Sequence, residues 1–175
     1  MGKLQGTVHV TRRAVRTYLE MRDRSQLNAA EPPAGDVAVE RQAACPPDLY
    51  RRLYADVGRE YHWIDRLGWT DDEIAAHLAD PRLELWVLRE RQEPAGYFEL
   101  RRHEDDAVEV AYFGLLPHAV GRGLGKFLLT RAVERAWDLG ATRVWLHTSS
   151  LDHSVALPNY LARGFSIWKQ ETYSY

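Results

Sequence analysis

Three glycines spaced two apart, Gly121, Gly123 and Gly125, with Lys126 directly after them, form the part of the chain best suited to chemistry. Glycine lets a phosphate oxygen approach the backbone, and a helix start offers free N–H groups and the positive end of the dipole. The pattern is not a nucleotide P-loop, which would need glycine where Val120 stands and a hydroxyl where Phe127 stands. Nor is it a dinucleotide fingerprint, because Lys126 occupies the place of its third glycine. What remains is a short anion-binding loop feeding one helix; the rival reading is a set of tight turns. His118, His147 and His153 lack the cysteine or carboxylate spacing of a zinc site, so no metal is expected. Cys45 lies away from these groups, which argues against a covalent cysteine intermediate.

The loop must be positioned by its neighbours. Lys126–Leu139 reads as an amphipathic helix, with Leu128, Leu129, Ala132, Val133 and Ala136 on one side and Gly140 as its stop. Before the loop, 83–88, 95–100 and 107–116 read as three strands joined by short turns at 92–94 and 104–106, an antiparallel meander. After the helix, 143–147 reads as a strand, and strand–loop–helix–strand implies a parallel pair with a right-handed crossover. A short helix over 154–163 stops at Gly164, and 165–173 is a last strand. Upstream, 36–41 alternates as a strand. Leu49, Leu53, Val57 and Tyr61 recur at helical spacing from Pro46 to about Asp65, and Thr70 to Glu73 is a capping box opening a helix to Leu78. Residues 1–34 read as an N-terminal extension, a basic edge strand around 15–21 plus a linker through the breakers at 31–35. Residues 35–175 read as one domain. The fold class is therefore α/β: a mixed sheet, a meander followed by a parallel pair, flanked by about four helices.

Composition agrees with one globular domain. The chain has 175 residues, 45% hydrophobic and 27% charged; these proportions exclude a disordered tail, a collagen and a coiled coil. A net charge of −2 disfavours an electrostatically driven nucleic-acid binder. No apolar run approaches the roughly 20 residues of a membrane span. Met1 to Arg13 carries no apolar leader segment, and a single cysteine suits a reducing compartment, so the expectation is a cytoplasmic protein. Six tryptophans and nine tyrosines supply aromatic surface for a pocket wall as well as for a core.

The run Phe113-Gly-Leu-Leu-Pro117, then Gly121-Arg-Gly-Leu-Gly-Lys126, a helix, Val144-Trp-Leu-His147, and Ala156-x-x-x-Tyr160-x-x-x-Gly164-Phe165 resembles the GNAT N-acyltransferases. The resemblance covers about 83–173, with a first strand and two helices at 36–80. It implies acetyl-CoA or another acyl-CoA as co-substrate. The pyrophosphate would lie on Gly121, Arg122, Gly123, Leu124, Gly125 and Lys126. The pantetheine arm would pair with Phe113, Gly114 and Leu115, and a backbone N–H at about Leu115 or Leu116, at a strand bulge, would polarise the thioester carbonyl. The family usually has Gln or Arg where Val120 stands, and often an asparagine where His153 stands, leaving His153 as the cofactor-side residue there. Pro158 falls inside the last helix and implies a late start or a bend.

Acyl transfer to an amine requires loss of an ammonium proton, donors for the oxyanion, and a proton for the departing thiolate. The resemblance assigns the last task to Tyr160, whose rival role is a core aromatic. The resemblance also implies two competing bases: Glu109 on the meander strand, where some members keep a glutamate and which shares a face with Phe113 and Leu115 if that strand is regular, and His147 at the end of the parallel strand, where other members place theirs and whose residue type titrates near neutral pH. Proton loss through water is the alternative to both. The acceptor is expected beneath the first helices, where Tyr54, Glu60, Tyr61, His62, Trp63, Asp65 and Trp69 cluster. Tyr61, Trp63 and Trp69 are the candidate walls for a small cationic amine. The expected activity is direct transfer from acetyl-CoA to a small-molecule amine in a ternary complex. Its rivals are a protein or peptide N-acetyltransferase, which would need an open groove, and a non-catalytic acyl-CoA-binding module. Trp168 and Tyr173 on the last strand are candidate contacts of a homodimer.

Overall fold

The computed structural model describes residues 11–175; Lys3 and the start of the basic extension lie outside them. In chain order the elements are β1 (Arg13–Met21), β2 (Val37–Arg41), α1 (Pro47–Gly58), α2 (Asp71–Leu78), β3 (Leu83–Glu90), β4 (Glu93–Arg102), β5 (Ala107–Leu115), α3 (Leu124–Asp138), β6 (Arg143–Ser149), α4 (Ala156–Ala162) and β7 (Ser166–Ser174). The strands form one seven-stranded sheet in the order β2-β3-β4-β5-β6-β1-β7. The meander β2–β5 is antiparallel, and β5 and β6 make the parallel pair. The sheet has two covered faces. On one, α3 and α4 bury Leu128, Leu129, Val133 and Phe165 against Phe98, Leu100, Val108 and Val110. On the other, α1 and α2 bury Tyr50, Leu53, Val57 and Ile74 against Leu85, Val87 and Tyr97.

The first strand corrects an expectation. β1 is not an edge: it pairs antiparallel with β6 from Arg16↔Ser149 to Met21↔Val144 and with β7 from Arg13↔Ser174 to Glu20↔Ser166. Leu19 and Met21 are fully buried. A strand that seals apolar side chains beneath it and hydrogen-bonds on both sides belongs to the body of the sheet, so the division at residue 34 does not separate an appendage from a domain. The edge of this half of the sheet is β7.

Local chemistry explains the other differences. The turn between β3 and β4 is Arg91-Gln92, both at positive φ, the twist of a two-residue hairpin; the strand therefore begins at Glu93 and includes Pro94. The first helix stops at Gly58, short of Asp65. A Cβ on Gly58 would meet the Trp63 Cβ at 2.3 Å, so the chain folds back there and passes through a left-handed His62 (φ 63°). α4 begins at Ala156, which puts Pro158 in the first turn, where a missing N–H breaks no helical bond.

β5 carries one extra residue. Glu99 pairs with Tyr112 but Leu100 pairs with Val110, leaving Ala111 as a bulge. The bulge shifts the alternation of side chains. Phe113, Leu115, Val108 and Val110 face α3, whereas Glu109 joins Tyr112 and Gly114 on the α1/α2 face. The expected common face of Glu109, Phe113 and Leu115 assumed a regular strand and does not exist.

Candidate active site

β5 and β6 stay together for three residue pairs, Ala107↔Arg143, Val108↔Val144 and Glu109↔Trp145. Beyond Glu109 they separate, and a cleft of about 790 Å³ opens between them. Sheets twist, and a bulge at Ala111 increases the local bend, so the strands part on the approach to it. The diverging edge of β5 is left without a neighbour. Leu116 N–H donates to the Ala95 carbonyl at 2.9 Å; by antiparallel alternation the N–H groups of Phe113 and Leu115 point the other way, toward the cleft. Leu116 is therefore unavailable as a donor in the cleft, and Leu115 remains.

The glycine loop forms one end of the cleft. Gly121 and Gly123 lie at φ 79° and 77°, left-handed values that side chains other than glycine rarely adopt. Gly123 is the N-cap of α3 and provides no side-chain cap, so the first-turn N–H groups face out unpaired. A Cβ on Gly121 would meet nothing within 4 Å. Gly121, Gly123, Gly125 and Lys126 line the cleft with Phe113, Gly114 and Leu115. Arg122 turns away to form a bidentate ion pair with Glu90 at 2.5–2.6 Å, and Leu124 is buried in the core. These two hold the loop against its surroundings. Gly114 also has a packing reason: a Cβ there would stand 2.3 Å from Val57 Cγ1.

Tyr160 reaches the cleft from α4. Its ring packs edge-on to Phe113 and Phe165 at 6.0 and 6.4 Å. Burial pushes its phenol well above the ordinary value, and the nearby Asp152 charge adds to the effect, so the hydroxyl keeps its proton. Glu109 is at the floor, where the two strands part; its carboxylate is 2.9 Å from His103 Nε2. His147 lines the opposite wall and stays open to solvent through the cleft mouth. The surrounding protein disfavours its charged form, lowering its pKa below 6.5, and Glu109 acts in the opposite sense. His153 lines the cleft; its Nδ1 accepts from Val155 N–H at 3.2 Å, and its ring meets Tyr61 edge-on at 6.1 Å.

Of the expected acceptor walls, Tyr61 and Trp63 line the cleft and Trp69 does not. Trp69 stacks instead on Arg66, whose guanidinium carbon is 4.8 Å from its ring centroid. Residues not anticipated also line the cleft: Arg66, Tyr112, Asn159, Arg16, Tyr173 and Tyr175. Asn159 Nδ2 donates to the Gly125 carbonyl at 3.4 Å, tying α4 to the loop. Its position one residue before Tyr160 could have suggested it. Arg16, Tyr173 and Tyr175 reach the cleft only because β1 lies beside β6 and β7 beside β1, which no local pattern announces. Among the described residues no group of three His, Cys, Asp or Glu could hold a metal ion, and no helix is long and apolar enough to cross a membrane.

Residues 47–165 match the acetyltransferase (GNAT) family. An uncharacterised N-acetyltransferase of Mycobacterium tuberculosis is 33% identical over 124 residues, 71% of this chain and 74% of that protein. A mycothiol acetyltransferase of Mycobacteroides abscessus is 32% identical over 107 residues, 57% of this chain and 36% of that protein. Among solved structures, a GCN5-related N-acetyltransferase from Kribbella flavida superposes with a TM-score of 0.66 at 19% identity over 91% of this chain. The chain spans 56% of the length of that structure.

Proposed function

The chain belongs to the GNAT acetyltransferase family, and from that membership we propose that it transfers an acetyl group from acetyl-CoA to the primary amine of a small molecule, directly, in a ternary complex. The observation that carries this reading is the convergence of an uncapped helix start, an unpaired strand edge and a buried, protonated tyrosine on one cleft. The loop of Gly121, Gly123, Gly125 and Lys126 takes the pyrophosphate through its backbone. The extended arm lies along the open edge of β5. Glu109, held by His103, accepts the ammonium proton; the free amine attacks the thioester carbon and the C–N bond forms. The Leu115 N–H supports the oxyanion. When the C–S bond breaks, Tyr160 donates its proton to the thiolate, and the proton released by the nitrogen restores the phenol. The packed aromatic wall of Tyr54, Trp63 and Tyr112 favours a small acceptor over an extended peptide.

The test has two parts. Thiol release from acetyl-CoA should depend on an added amine. In Gly123→Glu, a side chain forced into a left-handed site and a negative charge at the helix start should weaken acetyl-CoA binding by more than tenfold in calorimetry. Unchanged affinity would remove the loop from the site.

A further inference from the structure

The acceptor wall contains a guanidinium that is tied down on one side and open on the other. Arg66 lies in the loop that folds back after Gly58, and its side chain is nine-tenths buried. Its Nη1 makes its side-chain hydrogen bonds, donating to the fully buried Glu99, whose two oxygens are 2.9 and 3.1 Å away, and to the Tyr50 hydroxyl; His77 Nε2, 3.2 Å from Nη1, donates to Glu99 instead. Tyr112 and Trp69 flank the guanidinium, at 4.1 and 4.8 Å from its carbon to the ring centroids. Tyr50 and His77 also reach Glu99, each at 2.9 Å. The Nε–Nη2 edge has no hydrogen-bond partner among the described residues, and it is absent from the sealed, unsatisfied side-chain atoms, which are Tyr97 Oη, Trp137 Nε1 and Arg163 Nε. That edge therefore reaches solvent, and Arg66 lines the cleft.

An arginine held in this way is preorganised. Its rotamer is already fixed by Glu99 and its faces are covered, so little freedom is lost when the open edge meets a ligand. The Nε–Nη2 edge presents two parallel donors, the geometry that a carboxylate accepts in a bidentate pair. Nearby charges define the rest of the wall. Arg101 lines the same cleft on the α1/α2 face, and Asp65 and Glu109 supply negative charge. Glu99 is opposite Tyr112 and Arg101 is opposite Glu109. The Arg66 level and the Glu109 level are thus two residues apart on β4, about 7 Å at the usual strand rise.

We propose that the acceptor carries a carboxylate as well as its amine, and that the open edge of Arg66 binds that carboxylate while Glu109 takes the ammonium end. The separation suits a dipeptide or an ω-amino carboxylic acid better than a simple α-amino acid. The inference rests on the acetyl-transfer reading and adds the class of acceptor.

Matched pairs test it: dipeptides and ω-amino acids of increasing length, each against its carboxamide, with thiol release from acetyl-CoA as the readout. The acids should show kcat/KM at least tenfold above their amides. In Arg66→Lys, which keeps a cation beside Glu99 but has no second donor edge, the acid-to-amide ratio should fall toward one. Equal turnover of acids and amides in the natural protein would overturn the inference and leave acetyl transfer standing. A ratio preserved in Arg66→Lys would overturn the role of Arg66. If no amine releases thiol, the acetyl-transfer reading fails, and calorimetry with the acids alone decides the site: binding lost in Arg66→Lys upholds it, and no binding in the natural protein overturns it.

Discussion

Tyr160 and His147 differ in how their surroundings fix their protons. Burial keeps the Tyr160 phenol protonated across the working pH range, which suits a donor and not a base. Tyr160→Phe keeps the ring contacts with Phe113 and Phe165 and removes only the proton. Turnover should drop roughly 10²-fold, the usual scale for one acid–base group, with acetyl-CoA affinity nearly unchanged. Full activity in that variant would reduce Tyr160 to a packing residue. For the base, Glu109→Gln and His147→Gln should act unequally, with Glu109→Gln losing more of kcat/KM and flattening the low-pH limb. His147 has a pKa below 6.5, so it is neutral at pH 7. If it were the base, rate would rise with pH through that lowered value, and His147→Gln would abolish the limb. Glu109 could be named from its place on the strand before the loop. Its facing could not, because the alternation that the sequence suggests is broken by the bulge at Ala111.

At the scale of elements, two glycines separate strain from collision. Gly140 caps α3 at φ 79° and an added Cβ would meet nothing within 4 Å. Gly164 ends α4 at φ 104°, and an added Cβ would stand 1.9 Å from the Gln26 carbonyl oxygen. Gly140→Ala should therefore cost only the backbone strain, about 1 kcal/mol. Gly164→Ala adds a clash with fixed backbone and should cost clearly more, about 3 kcal/mol, against single-site strain costs of 1–3 kcal/mol. Urea unfolding midpoints of the two variants compare them directly; equal shifts would mean that the segment after β1 moves aside freely. Both glycines were legible as helix stops. The partner of Gly164 was not, since Gln26 is more than a hundred residues away in the chain. The capping box at Thr70 and Glu73 was also legible, and both of its hydrogen bonds form. The two-residue turn at Arg91-Gln92 was missed because it uses positive φ without glycine or asparagine.

For the molecule as a whole, β1 holds the far half of the sheet together. Removing residues 1–23 would take away the strand that pairs with both β6 and β7, and Leu19 and Met21 from the core. Each fully buried side chain contributes about 2–5 kcal/mol on truncation, and the loss of two with two strand interfaces exceeds what a domain of marginal stability, about 5–15 kcal/mol, tolerates. The truncated chain should be insoluble or lack a folded circular dichroism spectrum; a folded form that binds acetyl-CoA would show that β1 is dispensable. Acid should also weaken the fold through Glu99. Burial alone would raise its carboxyl pKa, but the His77 hydrogen bond and the Arg66 and His77 charges outweigh burial and hold it below 4.5. Its contribution is complete above that ordinary value and is lost as pH falls through the lower folded one, so melting temperature should decline more steeply below pH 4.5 than in Glu99→Gln. Local pattern alone determined the meander, the glycine loop, the amphipathic helix and the parallel crossover, because each is written in periodicity and turn chemistry within a few residues. Tertiary structure decided the place of β1, the parting of β5 from β6, the face of Glu109 and the open edge of Arg66. Those depend on hydrogen bonds and burial between segments far apart in the chain, and a strand's pattern says which side is apolar without saying which strand lies beside it.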